Sequence, residues 1–339
     1  LQADVGPAGL AVVSPDDVTA RVVDNRSRAG YGATRRRRFA TSDDSDDARS
    51  THRAMTAHDT AYWESQYNNR LAVPEHPQIF ARWGRESEWA RRQYDCDLDV
   101  AYGNHPMEKL DVFHARGESR ALLVFIHGGY WRSLDKRDFA FIAPPFTARS
   151  ITVALTNYAL CPAVTVEDIV RQQLAALAWL YRTGAQRFGA ARERIFVAGH
   201  SAGGHLVAMM LAALWPSFGS DLPRKIVQGG LAVSGLYDLR EIVNVPSIND
   251  DVGLTPDAAD RVSPIFYPPA TDAPLYTAVG GSELPPFIAQ NTAMARHWSE
   301  VFVADTPCPG DNHFTVMDHF ADPHHALFGA AMRMMGLAS

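Results

Sequence analysis

The stretch "RIFVAGHSAGGHLVAMML", Arg194–Leu211, places a serine where one apolar run ends and another begins. The first half reads as a buried strand and the second as an apolar helix. Between them, Gly199-His200-Ser201-Ala202-Gly203 fits the G-x-S-x-G pattern of a sharp strand-to-helix turn. The reason for the glycines is steric. A serine in such a turn has a strained backbone, and side chains two residues away on either side would strike the neighbouring strand and helix. The turn leaves Ser201 Oγ exposed at the electropositive end of a helix, where developing negative charge is stabilised. Such a serine needs a base, an acid and an oxyanion site from elsewhere in the chain.

Working outward, "CDLDVAYG" and "EKLDVFHA" alternate apolar and polar residues, as half-buried antiparallel strands do. "ALLVFIHGG" and "SITVALTNY" are continuous apolar runs, the signature of strands covered on both faces. Asp168 to Tyr181 has helical periodicity and leads into the strand at Ile195. Beyond Ser201, "GGLAVSGL" and "APLYTAVGG" continue the strands. A helix is expected from about Pro286 to Ser299, then the strand "VFVADTPC" and a terminal helix in "PHHALFGAAMRMMG". Strand and helix alternate, so the expected fold class is α/β, a mostly parallel sheet with helices on both faces. Asp59 to about Arg92, with Trp63, Tyr67, Phe80, Trp83 and Trp89 at helical spacings, is expected to lay one or two helices over that body as lid elements.

In open α/β sheets chemistry gathers beyond the carboxyl ends of the strands. His127-Gly128-Gly129-Tyr130-Trp131 follows the first buried run. The backbone N–H groups of Gly128 and Gly129, with that of Ala202, would form an oxyanion hole, each donor contributing roughly 3 kcal/mol. Glu283, after Gly280-Gly281-Ser282, is the expected acid, and His313, in Gly310-Asp311-Asn312-His313-Phe314, the expected base. The order serine, acid, histidine suits this kind of sheet. Tyr130, Trp131 and Tyr158 would supply an aromatic wall to the substrate site.

Other residues carry blander readings. His127 would bond its own loop, and His200 and His205 would pack. His319, His324 and His325 lack an acidic partner at metal-ligand spacing, so no metal is expected. Asp238 reads as an N-cap, and Asp305 and Asp311 are the rivals to Glu283 for the acid.

The 339 residues are 46% hydrophobic, enough for a large core, and the net charge of −6 argues against a nucleic-acid partner. Three scattered cysteines, Cys96, Cys161 and Cys308, offer no zinc or disulfide framework and suit a reducing cytoplasm. Apolar stretches are too short for a membrane span. Residues 1–54 hold Arg35-Arg36-Arg37-Arg38 followed by Asp43, Asp44, Asp46 and Asp47 and lack sustained periodicity. They read as a disordered extension ahead of a single domain over 55–339. No apolar core follows a basic start, so no secretory signal is expected.

From about Tyr62 to Gly336 the chain resembles an α/β-hydrolase of the esterase and kynurenine formamidase (arylformamidase) group. The resemblance rests on His127-Gly128-Gly129-Tyr130-Trp131, Gly199-His200-Ser201-Ala202-Gly203-Gly204 and Asn312-His313-Phe314. The H-G-G-Y-W form is similar to the formamidases, where lipases more often carry a third glycine. It implies Ser201 as nucleophile, His313 as base, and Gly128, Gly129 and Ala202 as oxyanion donors, with no cofactor. In the animal enzymes the acid is more often aspartate; here Glu283 stands at the position. The expected activity is removal of a small acyl group from an aryl formamide such as N-formylkynurenine, or from an aryl ester. A general short-chain carboxylesterase is the alternative, and a homodimer is left open.

Overall fold

The computed structural model describes residues 59–337. The reading of residues 1–54 as an extension lies outside them. Three helices come first: α1 (Thr60–Tyr67), α2 (Asn69–Ala72) and α3 (His76–Gln93). Next are strands β1 (Cys96–Ala101), β2 (Lys109–Phe113), β3 (Ala121–Ile126) and β4 (Ile151–Thr156). Helix α4 (Val166–Trp179) leads to β5 (Ile195–His200) and α5 (Ala202–Leu211). The chain continues through β6 (Val227–Val233), β7 (Leu275–Gly280), α6 (Pro285–His297), β8 (Phe302–Cys308) and α7 (Ala326–Met334).

These strands form one sheet in the order β1-β2-β4-β3-β5-β6-β7-β8. β2 runs antiparallel to both β1 and β4, and the remaining pairs are parallel. The mostly parallel arrangement follows from the helical crossovers, and it buries β3, β4 and β5 along their whole length. Alternation along β3 divides the core. Leu122, Val124 and Ile126 face one cluster with Leu174 of α4, Leu206 of α5 and Phe287 of α6. Leu123 and Phe125 face the other, with Trp83 of α3 and Leu327 of α7.

The α4 helix begins two residues earlier than its periodicity predicts. Thr165 caps it and accepts from Asp168 N, while the Asp168 side chain returns to the Thr165 N–H, so Asp168 is the third residue of a capping box. Asp238 is not a helix cap: its carboxylate accepts from Arg240 N at 3.1 Å and pairs with the Arg240 guanidinium. Between β6 and β7, Ile242–Asn244, Pro246–Val252 and Pro256–Arg261 form short helical turns that the strand-helix pattern does not predict. They are too short for apolar periodicity to register.

Candidate active site

Ser201 stands between β5 and α5 with φ 58° and ψ −118°, a strained conformation for a residue with a side chain. The flanking glycines are obligatory. A Cβ on Gly199 would lie 2.4 Å from the Gly203 carbonyl oxygen, and one on Gly203 would lie 1.9 Å from that of Ile126. Ser201 N donates to the Val233 carbonyl at 2.8 Å, tying the strained turn to β6.

The loops after β7 and β8 bring two more side chains to the serine. His313 Nε2 is 3.0 Å from Ser201 Oγ, and His313 Nδ1 is 2.6 Å from Glu283 Oε2. All three residues are buried. Glu283 is held on its other oxygen by Gly280 N at 2.7 Å and by the Ser234 hydroxyl. An imidazole between a hydroxyl and a fixed carboxylate can take a proton from the one while the other stabilises the resulting charge. The other two candidate carboxylates are engaged elsewhere: Asp305 with Thr277 and Asn291, Asp311 with Thr315 and His319.

Ser234, the residue after β6, was not anticipated. A polar residue directly after a buried strand is the signal that could have found it.

The glycine loop is set by a buried polar network. His127 Nδ1 lies 2.8 Å from the Gly128 carbonyl oxygen, and its Nε2 lies 3.0 Å from Asn157 Oδ1. The Tyr158 hydroxyl donates to the His127 carbonyl at 2.9 Å, and its ring stacks on His127 at 4.3 Å. Because a peptide is planar and trans, fixing the Gly128 carbonyl on one side turns the Gly129 N–H to the other. That N–H has no acceptor among the described residues. Ala202 opens α5, so its N–H lacks an intrahelical acceptor. Gly128 packs against the turn itself, where a Cβ would meet Ser201 Cβ at 3.0 Å. Asn157 also accepts from Lys136 N at 3.1 Å, and the Lys136 ammonium is buried between Asp99 and Asp111. Neither Asn157 nor Lys136 carries a motif, and the sequence reading missed both.

A cavity with about 550 Å³ of empty space, partly open to solvent, lies over Ser201 and His313. The expected aromatic wall needs correction. Tyr130 lines this cavity, whereas Trp131 and Tyr158 do not and are fully buried. Trp131 turns inward to donate to His205 Nδ1 at 3.2 Å, and Tyr158 braces the glycine loop. The wall comes instead from Phe80 and Trp83 of α3 and from Phe314, with Phe80 edge-on to Phe314 at 5.0 Å. The lid elements therefore contribute ring surface, and Tyr130 joins them by donating to the Tyr67 carbonyl at 2.7 Å.

Two further histidines beside the turn are held by backbone carbonyls. His200 Nε2 lies 2.7 Å from the His313 carbonyl oxygen, and burial with the neighbouring His313 pushes its pKa well down. His205 Nε2 bonds the Val262 carbonyl, and burial lowers its pKa to about 4. His324 is exposed, but His319 and His325 gather with Asp311, their ligand-capable atoms all within 4.8 Å of one another. The acidic neighbour missing from the linear spacing comes from the loop after β8.

The model of the alpha/beta hydrolase fold family matches residues 123–300, and the chain belongs to that family. It is a hydrolase. The kynurenine formamidase of Salmo salar is 27% identical over 285 residues, covering 80% of this chain and 93% of its own length. That of Drosophila melanogaster is 29% identical over 279 residues, 77% of this chain and 89% of its own. A crystal structure from Silicibacter sp. TM1040, described as a candidate thioesterase, is 30% identical with a TM-score of 0.68, covering 78% of this chain and 96% of that one. No helix among the described residues is long and apolar enough to cross a membrane.

Proposed function

We propose that this chain is a serine hydrolase that removes a small acyl group, formyl above all, from an aryl amide or aryl ester through an acyl-enzyme. The observation that carries the reading is the unbroken chain Ser201–His313–Glu283, 3.0 Å and 2.6 Å long at its two links, at the floor of a small cavity. Ser201 Oγ attacks the substrate carbonyl carbon and its proton passes to His313 Nε2, while Glu283 holds Nδ1–H and offsets the imidazolium charge. The carbonyl oxygen becomes an anion facing the N–H groups of Gly129 and Ala202, with Gly128 completing the loop. His313 then protonates the leaving nitrogen or oxygen. Water, deprotonated by the same imidazole, releases the acyl group and restores the serine.

The formamide is favoured over the ester by relatives named as kynurenine formamidases that match along most of their own length. The ester reading keeps its place because the structural relative at 30% identity is described as a candidate thioesterase. Residues 55–339 act as one domain in this proposal. The test is kcat/KM on N-formylkynurenine beside that on phenyl acetate and longer phenyl esters. Faster turnover of long-chain esters, with the formamide untouched, would leave only a general carboxylesterase.

A further inference from the structure

The cavity over Ser201 is lined by two arginines, Arg70 and Arg132, and by no carboxylate. The two cations differ in their surroundings. Arg132 is paired with Asp251. Arg70, exposed at the rim, makes one hydrogen bond, from Nη2 to Ser133 Oγ at 3.2 Å, and lies 6.0 Å from the centre of the Phe80 ring. No carboxylate among the described residues reaches it. A guanidinium carries five N–H donors, so one bond to a hydroxyl leaves most of its capacity unused. Partial burial and the nearby Arg132 make its charge harder to hold, which an anion would relieve.

A second, independent observation lies one residue away. Asn69 also lines the cavity and is 3% exposed, yet its Nδ2 amide has no hydrogen-bond partner among the described residues. A buried amide without an acceptor is costly unless a ligand supplies one. The placement relative to the chemistry is fixed by Ser133, which accepts from Arg70 and donates to the Gly129 carbonyl at 3.0 Å. The unpaired cation is thus one side chain removed from the glycine loop beside Ser201.

We propose that Arg70, with the Asn69 amide beside it, binds a carboxylate carried on the leaving-group side of the substrate. The inference rests on the hydrolase reading above and assigns the residues that would select, among small acyl derivatives of aromatic compounds, those that bear a free carboxylate. A formyl group has no atoms to spare for an anion, so the carboxylate belongs to the part that leaves. A planar fork with one amide beside it suits a carboxylate, and a single unpaired positive charge matches a monoanion.

The test uses two substrate pairs, each a carboxylate and its primary amide: N-formylkynurenine with its amide, which share an α-ammonium, and 3-(2-acetoxyphenyl)propanoate with its amide, which carry none. Wild-type enzyme should favour the carboxylate member of each pair in kcat/KM by about 10- to 100-fold, the range expected for hydrogen bonds to a charged group. Arg70→Gln should erase that preference through KM, and Arg70→Lys should keep part of it. Absence of a preference in the wild type overturns the proposal, as does equal loss on both members in Arg70→Gln, which would mark a support for the glycine loop through Ser133. If Arg70→Gln does not fold, the wild-type pairs and Arg70→Lys decide. Stronger Arg70-dependent inhibition by phenyl phosphate than by benzoate would replace the carboxylate with a phosphate. Untouched formamides alongside a charge-selective ester pair would sink the formamidase reading and leave Arg70 in its role.

Discussion

The strand-end loops and the cavity mouth face the same space, but they are built differently. Around Ser201, Glu283 and His313 the groups are buried, and the Glu283 carboxylate is held by Gly280 N and Ser234 as well as by His313. At the mouth, Asn68, Asn69, Arg70, Ser247 and Ile248 come from short helical turns on separate parts of the chain, and Arg70 and Asn69 have donors to spare. The contrast teaches where each kind of requirement falls. Proton transfer needs over-determined geometry, whereas recognition needs capacity held open for a ligand.

The largest effect expected on the strand-end side is from Ser201→Ala, which should lower kcat on the order of 10⁶-fold with the fold unchanged. Circular dichroism and single-turnover assays check this. A variant retaining a tenth of wild-type turnover would remove the serine from the mechanism.

Next comes the acid. Glu283→Gln should cost roughly 10⁴-fold in kcat by favouring the wrong imidazole tautomer. Asp305→Asn and Asp311→Asn serve as controls and should cost far less, since their carboxylates bond Thr277, Asn291, Thr315 and His319 instead. A 10⁴-fold loss in either control would shift the acid to that residue.

A smaller effect concerns stability around the turn. His205 is buried with its folded pKa lowered to about 4, against an ordinary 6.5. Between those values the unfolded chain binds a proton that the folded chain does not. Its contribution is therefore complete above pH 6.5 and is lost as the pH falls toward 4, by roughly 3 kcal/mol. Urea unfolding at about pH 7.5 and about pH 4.5 should show a smaller drop in His205→Gln than in the wild type. Equal drops would mean that other groups carry the acid sensitivity.

The smallest effect belongs to the mouth. Tyr130→Phe removes the hydrogen bond to the Tyr67 carbonyl, and a loss of about 1 kcal/mol in thermal or urea stability is expected. A loss of several kcal/mol would show the mouth to be as tightly determined as the strand ends, and the comparison would collapse.

Much of the strand-end side was legible because its signals are local. A buried run stopped by glycine marks a carboxyl strand end, and Gly199, Gly203, Gly128 and Gly129 each follow or flank one. Trp131 and Tyr158 show the limit of that logic. Both follow strands as the reading required, yet their rings turn into the core to reach His205 and His127. Chain position locates a residue near a site; packing decides which way its side chain points. Phe80 and Trp83 illustrate the converse, since helical spacing placed them on a helix without revealing that they border the cavity.

By itself, the sequence determined the α/β layering, the strained turn at Ser201 and the strand ends where Glu283 and His313 lie, because periodicity and glycine sterics act over a few residues. Only the tertiary structure decided that Asp311 meets His319, that Ser234 braces Glu283, and that Asn69 and Arg70 face the same cavity as Ser201. Those meetings join residues on separate loops and helices. Their distances depend on how whole helices seat on the sheet, which no local pattern encodes.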